Sequence, residues 1–195
     1  MNYLAHLHLA ELSHTSLAGA LLGEYARGGV DTSLPASLQI GIMLHRRIDS
    51  FTDAHALHAA RVRALPPPFR RFGGIITDMM FDHFLARHWS RYHALPLDEF
   101  VRQAHERLTP DRHWPEAMVR LVAGLKQSGM LARYRDFDAL LGALARIDQR
   151  FKRPTPLPRC RPLLEQHYGD METAFLHFYP ELEAFVLDQA RGLAG

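Results

Sequence analysis

I75-I-T-D78-M-M-F-D82-H83-F-L places three ionisable groups in an otherwise apolar run. Asp78 and Asp82 stand four residues apart, about one helical turn, so on a helix they share a face, and His83 follows at once. Isoleucine, methionine, phenylalanine and leucine flank all three, which predicts burial. A buried carboxylate is costly unless it is paired or bound to a metal. The segment therefore predicts a helix with a chemical task.

Thirty residues upstream, H45-R-R-I-D49-S-F-T-D53 repeats the spacing: His45 and Asp49 are four apart, as are Asp49 and Asp53. Two such helices packed face to face would bring imidazoles and carboxylates together. That nitrogen and oxygen set suits a divalent metal of intermediate hardness such as Mn²⁺, Fe²⁺ or Zn²⁺. Such a metal activates water, so the pattern points to a metal-dependent hydrolase. The upstream group is equally consistent with a solvated helix face on which Arg46 and Arg47 form surface ion pairs. Asp53, after Thr52, is also placed to cap a following helix.

Helical periodicity dominates the remainder, and no alternating strand pattern interrupts it. The expected helices run from Asn2, as N-cap, to Leu12; from Thr15 to Arg27, stopped by Gly28-Gly29; and from Pro35 through Asp49. That third helix is expected to break near Ser50–Asp53 and resume to Ala64, where Pro66-Pro67-Pro68 ends it. Next comes the Asp78–His83 helix, from Arg70 or Gly73 to Tyr92. Helices at Leu97–Leu108, Pro115–Gln127 and Phe137–Phe151 follow. A proline-rich loop precedes a last helix or helix pair, Leu163–Arg191, interrupted near Tyr168-Gly169 and Pro180. The expectation is an all-α fold, a single domain over residues 1–195 with seven to nine helices.

Composition narrows the function classes. The 195 residues suffice for one ordinary core, and a hydrophobic fraction of 47% excludes bulk disorder. A net charge of +2 does not demand a nucleic acid, and no apolar run is long enough for a membrane span. The opening M-N-Y-L-A-H-L-H-L-A-E lacks the form of a signal peptide, and the single Cys160 excludes an internal disulfide framework. A cytoplasmic setting is the expectation. Gly28-Gly29 and Gly73-Gly74 lack the strand context of a phosphate loop, and no nucleophile elbow occurs. Arginines near Cys160 could lower its pKa, but no motif gives it a catalytic task. His6 and His8 lie two apart in the first helix, and Glu24 sits in L21-L-G-E24-Y as a surface carboxylate or an extra oxygen ligand.

The ordered set M1-N-Y-L-A-H-L-H-L-A, G41-I-M-L-H45-R-R-I-D49-S-F-T-D53, D78-M-M-F-D82-H83-F-L-A-R-H-W and H167-Y-G-D-M-E-T-A-F-L-H-F-Y-P resembles the bacterial acyl carrier protein phosphodiesterase family across nearly the whole chain. The resemblance implies an all-helical fold related to HD-domain phosphohydrolases. It further implies hydrolysis of the phosphodiester that joins 4′-phosphopantetheine to a serine of holo-acyl carrier protein. The cofactor implied is a divalent cation, usually Mn²⁺, with Mg²⁺, Fe²⁺, Co²⁺ or Zn²⁺ as alternatives. Carried over by motif, His6, His45, Asp49, Asp82 and His83 become metal or catalytic residues, with Asp53 and Asp78 in or behind the site. Glu24 stands where related sequences tend to carry aspartate, and Asp82-His83 reverses the His-Asp doublet of the HD group.

In the mechanism this implies, Arg46, with Arg47, binds a phosphate oxygen, and His45 or His83 serves as general acid. An acidic carrier protein would dock on an arginine-bearing face drawn from Arg61, Arg63, Arg70, Arg71, Arg87 and Arg91. Two other readings remain open at this point: a phosphohydrolase acting on a nucleotide or other small phosphoester, and a catalytically impaired carrier-protein binder.

Overall fold

A computed structural model describes residues 1–194, which form ten α-helices, three short 3-10 turns and no strand. The helices are α1 Tyr3–Leu12, α2 Leu17–Leu22, α3 Ala36–Ala54, α4 Ala56–Ala64 and α5 Gly73–Arg87, then α6 Leu97–Arg107, α7 Glu116–Ser128, α8 Met130–Arg133, α9 Phe137–Asp148 and α10 Arg161–Ala194. The all-α expectation holds.

The centre of the fold is α5. From Ile76 to Ala86 every residue except Asp78 is buried, because α1, α4, α9 and α10 cover it on several sides. Phe81 and Phe84 meet Phe175 of α10 at ring-centroid distances of 5.6 and 6.0 Å, and Phe81 meets Phe178 at 5.3 Å. Each buried phenylalanine contributes about 1.5–3 kcal/mol. This packing explains one departure from expectation: α10 runs through Tyr168-Gly169 and Pro180 without interruption. Pro180 costs a helix roughly 3 kcal/mol. On either side of it, however, Phe175, Phe178, Tyr179, Leu182 and Val186 are all fully buried, and together they outweigh that cost.

Other boundaries shift for local reasons. Helix α2 is shorter than expected. It begins at Leu17, where the Ser16 hydroxyl accepts the Gly19 N–H at 3.0 Å, and it gives way to turns at Gly23. It lies so close to α3 that a Cβ on Gly41 would meet the Gly19 Cα at 2.7 Å. The α3–α4 break falls at His55, whose Nδ1 accepts the Leu57 N–H at 3.3 Å, so Asp53 stays in the last turn of α3 instead of capping α4. A 3-10 turn, Phe69–Phe72, leads into α5, and a second, Trp89–Arg91, follows it, where one helix was expected from Arg70 or Gly73 to Tyr92. The four-residue α8 is too short to leave a periodic signal.

Candidate functional site

The functional side chains gather where the N-terminal half of α1 crosses α3 and α5. His6 Nε2 lies 3.1 Å from Asp49 Oδ1, and His45 Nε2 lies 3.1 Å from Asp49 Oδ2. The two imidazoles stack with centroids 4.0 Å apart and planes 19° from parallel. His45 and Asp49 share a face of α3 through their i,i+4 spacing, and α1 delivers His6 to it. Room for the His45 ring comes from Gly23, since a Cβ there would collide with the imidazole. The three ligand atoms lie within 4.8 Å of one another.

Burial, then the neighbouring His45, pushes His6 down to about 4, so it is a neutral imidazole at physiological pH. For Asp49, burial works to raise its carboxyl, but hydrogen bonds from His45 and His6 and the Met1 amino group hold it below the usual carboxylate range. An imidazole nitrogen from each of His6 and His45 and one carboxylate oxygen form a donor set that a divalent cation such as Mn²⁺ or Zn²⁺ accepts. Nδ1 of both histidines is buried without a protein partner. His6, His45 and Asp49 therefore fit a metal.

Asp78 lies next to this group. The Met1 amino nitrogen is 3.4 Å from Asp49 Oδ1 and 3.4 Å from Asp78 Oδ2, while Asp78 Oδ1 pairs with buried His58 Nε2 at 3.1 Å. Burial works to raise the Asp78 carboxyl, but the amino group and His58 hold it below its ordinary value, so it is anionic.

Asp82 faces the same side of α5 one turn on, yet both its oxygens are engaged elsewhere. Oδ2 accepts the Leu4 N–H at 2.8 Å and Oδ1 the Ala5 N–H at 3.2 Å. It caps α1, a task the N-cap Asn2 does not perform, since the Asn2 amide instead donates to Met79 Sδ and the Tyr134 hydroxyl. Burial pushes Asp82 up to about 7, with the Leu4 and Ala5 N–H groups pulling the other way. His83 points away, because adjacent helical residues diverge by about 100°. Its Nδ1 bonds to the Tyr134 carbonyl at 2.7 Å and its Nε2 to the Tyr168 hydroxyl at 2.7 Å. Neither residue joins the His6–His45–Asp49 group.

A cleft of about 670 Å³ opens beside the cluster, lined on one side by His6, Asp78 and Met79 and on another by α7 and α9. Glu24 is exposed on its wall, while Asp53 is exposed and does not line it. Arg46 and Arg47 turn elsewhere, Arg46 donating to the Ala26 carbonyl at 2.9 Å and Arg47 to Gln189 Oε1 at 2.8 Å. The cleft carries a different set of cations: Arg120, Arg146 and Arg150. Sequence reasoning missed them because they belong to two ordinary amphipathic helices and the end of one of them, with no motif around them.

Of the arginines expected at a docking face, Arg63, Arg70, Arg71, Arg87 and Arg91 are exposed, and Arg61 pairs with Asp170 at 3.2 Å. Arg70 Nε donates to the Leu65 carbonyl at 3.0 Å, and Arg87 lies over the Tyr168 ring at 5.8 Å. Cys160 is fully buried, and burial pushes its thiol up to about 11, so the neighbouring arginines do not activate it.

An all-helical chain with convergent imidazoles and carboxylates beside an arginine-bearing cleft is built to handle an anionic ester. The profile of the family described as "Acyl carrier protein phosphodiesterase" matches residues 1–182. A protein of that name from Klebsiella pneumoniae subsp. pneumoniae is 39% identical over 184 residues, covering 93% of this chain and 95% of its own. Its namesake from Escherichia coli O157:H7 is 40% identical over 192 residues, covering 94% and 96%. One from Enterobacter sp. strain 638 is 38% identical over 186 residues, covering 93% and 95%. No solved structure matches. The chain belongs to the acyl carrier protein phosphodiesterase family. It is accordingly an enzyme of the phosphoric diester hydrolase class. Among the described residues no helix is long and apolar enough to cross a membrane.

Proposed function

We propose that this protein hydrolyses the phosphodiester of holo-acyl carrier protein, releasing 4′-phosphopantetheine and apo-carrier protein, with a divalent metal, Mn²⁺ first among candidates, held by His6, His45 and Asp49. The convergence of those three side chains beside an arginine-lined cleft carries the reading. A cation there would supply Lewis-acid polarisation of the phosphodiester and a water of lowered pKa.

The chain's own groups account for the rest. Water adds to phosphorus, the bond from phosphorus to the serine oxygen breaks, and that oxygen takes up a proton. Asp78, anionic and on the cleft wall, accepts a hydrogen bond from the water or from the departing hydroxyl. His58 holds that carboxylate in place from behind. Among the described residues Arg146 reaches only the Met130 Sδ, at 3.5 Å, and Arg150 the Tyr3 hydroxyl, so no carboxylate neutralises them and their charge is available to phosphate oxygens. Asp82 acts at one remove, by holding the first turn of α1 and thus His6. Glu24, on the same wall, is a further oxygen donor within the cleft.

An acidic carrier protein would dock beside the cleft mouth. Phe151, 40% exposed and lining the cleft, meets Phe72 edge-on at 5.5 Å, which joins the Arg70-Arg71 turn to the basic run Arg150–Arg153. Opposite charge at such a face raises association rate in a salt-dependent way. The reading places enzyme and substrate together in the cytoplasm.

Intact-mass analysis of holo-acyl carrier protein incubated with the enzyme and Mn²⁺, with a chelator control, tests the proposal. Loss of the phosphopantetheine mass only with free metal is expected. An unchanged mass with folded, metal-loaded enzyme overturns it.

A further inference from the structure

Helices α7 and α9 border the cleft with two stripes of identical spacing: Leu121, Gly124, Leu125 and Ser128 on one, Ala143, Arg146, Ile147 and, just past the end of α9, Arg150 on the other. Both follow the i, i+3, i+4, i+7 pattern of a single helical face. In a packed bundle such faces close against each other. Here they line about 670 Å³ of open space, within the range of a preformed small-molecule site and far more than a phosphate group needs. The lining is mostly apolar, with Ser128, Tyr134 and Asn2 as hydrogen-bonding groups beside the arginines Arg120, Arg146 and Arg150.

From this we infer that the α7–α9 trough receives the pantetheine arm of the substrate, so that the enzyme recognises the released half of the diester and not only its phosphate. The inference rests on the proposed function and deepens it. Two groups hang from the reacting phosphorus. One is a folded carrier protein, which has to stay outside a cleft of this size. The other is a thin, flexible chain with apolar segments and two amides, which matches an apolar trough with a few polar groups. His6 and Asp78 on the facing wall, across from Arg146 and Arg150, bracket the reacting phosphate, which leaves the α7 stripe and the rest of the trough to the arm.

Gly124 makes the inference testable. It lines the cleft, and a Cβ built there meets nothing within 4 Å. A side chain there starts from open space at the trough's edge, and replacing a mid-helix glycine does not weaken α7. The experiment is calorimetric binding of 4′-phosphopantetheine and of inorganic phosphate to the Mn²⁺-loaded enzyme, as wild type, Gly124→Ala and Gly124→Phe. Wild type and Gly124→Ala are expected to bind 4′-phosphopantetheine at least about 10-fold more tightly than phosphate. Gly124→Phe is expected to lose that preference while its phosphate affinity stays unchanged. Equal affinities in wild type, a measurement that needs no variant, overturn the inference. So does a preference retained by Gly124→Phe. Preference for 4′-phosphopantetheine without cleavage of holo-carrier protein in the mass assay overturns the proposed reaction and leaves the trough standing as the ligand's site.

Discussion

Asp82 on α5 accepts the Leu4 N–H of α1 at 2.8 Å, so the helix that carries His6 is capped by a residue 78 positions away in sequence. Few single contacts tie the fold to the site so directly. Asp82→Ala leaves two buried N–H groups without an acceptor, and the expected cost is about 2–4 kcal/mol of folding stability. Chemical denaturation measures this. At low temperature the folded variant loses no more than about 100-fold in Mn²⁺ affinity in calorimetry, as befits a supporting residue. A loss as large as that of Asp49→Ala would instead make Asp82 a ligand.

For the three convergent residues the expectation runs the other way. His6→Ala, His45→Ala and Asp49→Ala should each lower Mn²⁺ affinity by more than about 100-fold, beyond the range typical of a supporting residue. Asp49→Ala also leaves the buried Nε2 atoms of His6 and His45 and the Met1 amino group without their carboxylate, so the apo-protein loses stability as well, and affinity is compared at a temperature where each variant is folded. Calorimetric titration with Mn²⁺ decides. Normal affinity in any one of the three removes that residue from the set.

Gly23 probes the same centre through packing. Its replacement by alanine drives a methyl group into the His45 ring, which has to move. The backbone at Gly23 is right-handed helical, so alanine adds no backbone strain, but the His45 Cβ would stand 2.5 Å from the new methyl, so the start of the α2–α3 connection has to shift along with the ring. Turnover of holo-carrier protein should drop about 10-fold or more with circular dichroism unchanged. Wild-type turnover in Gly23→Ala would show that the position of His45 does not matter.

Acid sensitivity has a nameable source in His8. It is 1% exposed, accepts the Tyr179 hydroxyl at Nδ1 (2.8 Å) and donates from Nε2 to the Tyr92 carbonyl (3.1 Å). Burial lowers its pKa from 6.5 to about 4, with His93 assisting and the Tyr92 carbonyl and Glu11 opposing. Because the folded pKa is depressed, the stabilisation is complete above about pH 6.5 and is lost as the pH falls through 4. The shift corresponds to roughly 3 kcal/mol. Denaturation of the apo-protein between pH 7 and 4.5 should show this decline, and His8→Gln should make it shallower, with His6, pushed equally low by burial, carrying the remainder. An equally steep decline in His8→Gln assigns the effect to other groups.

At the docking face, Arg70→Glu/Arg71→Glu should raise KM for holo-carrier protein about 10-fold with kcat nearly unchanged, and the defect should shrink at high salt. Equal kinetics at low salt would place docking elsewhere.

Much of the chain can be read without its coordinates. The apolar setting of Asp78-M-M-F-Asp82-His83 demands a buried helix, periodicity demands an all-α fold, and the i,i+4 pair His45/Asp49 comes together by helical geometry alone. Those are local properties, governed by one turn of backbone. What faces what across the bundle is not local. Asp78 and Asp82 look alike in sequence, yet one meets an amino group and His58 beside the cleft while the other caps α1. His83 has the chemistry of a ligand, and Tyr134 and Tyr168 claim it. Arg46 follows His45 but lies about 100° round α3, so the cations at the cleft come instead from Arg120, Arg146 and Arg150. Pro180 announces a break that α10 does not make, because the fully buried residues around it outweigh the lost hydrogen bond. The sequence by itself determined the helices and the kinds of side chain available. Only tertiary packing decided which of them share a site, since that depends on the relative rotation of helices far apart in the chain.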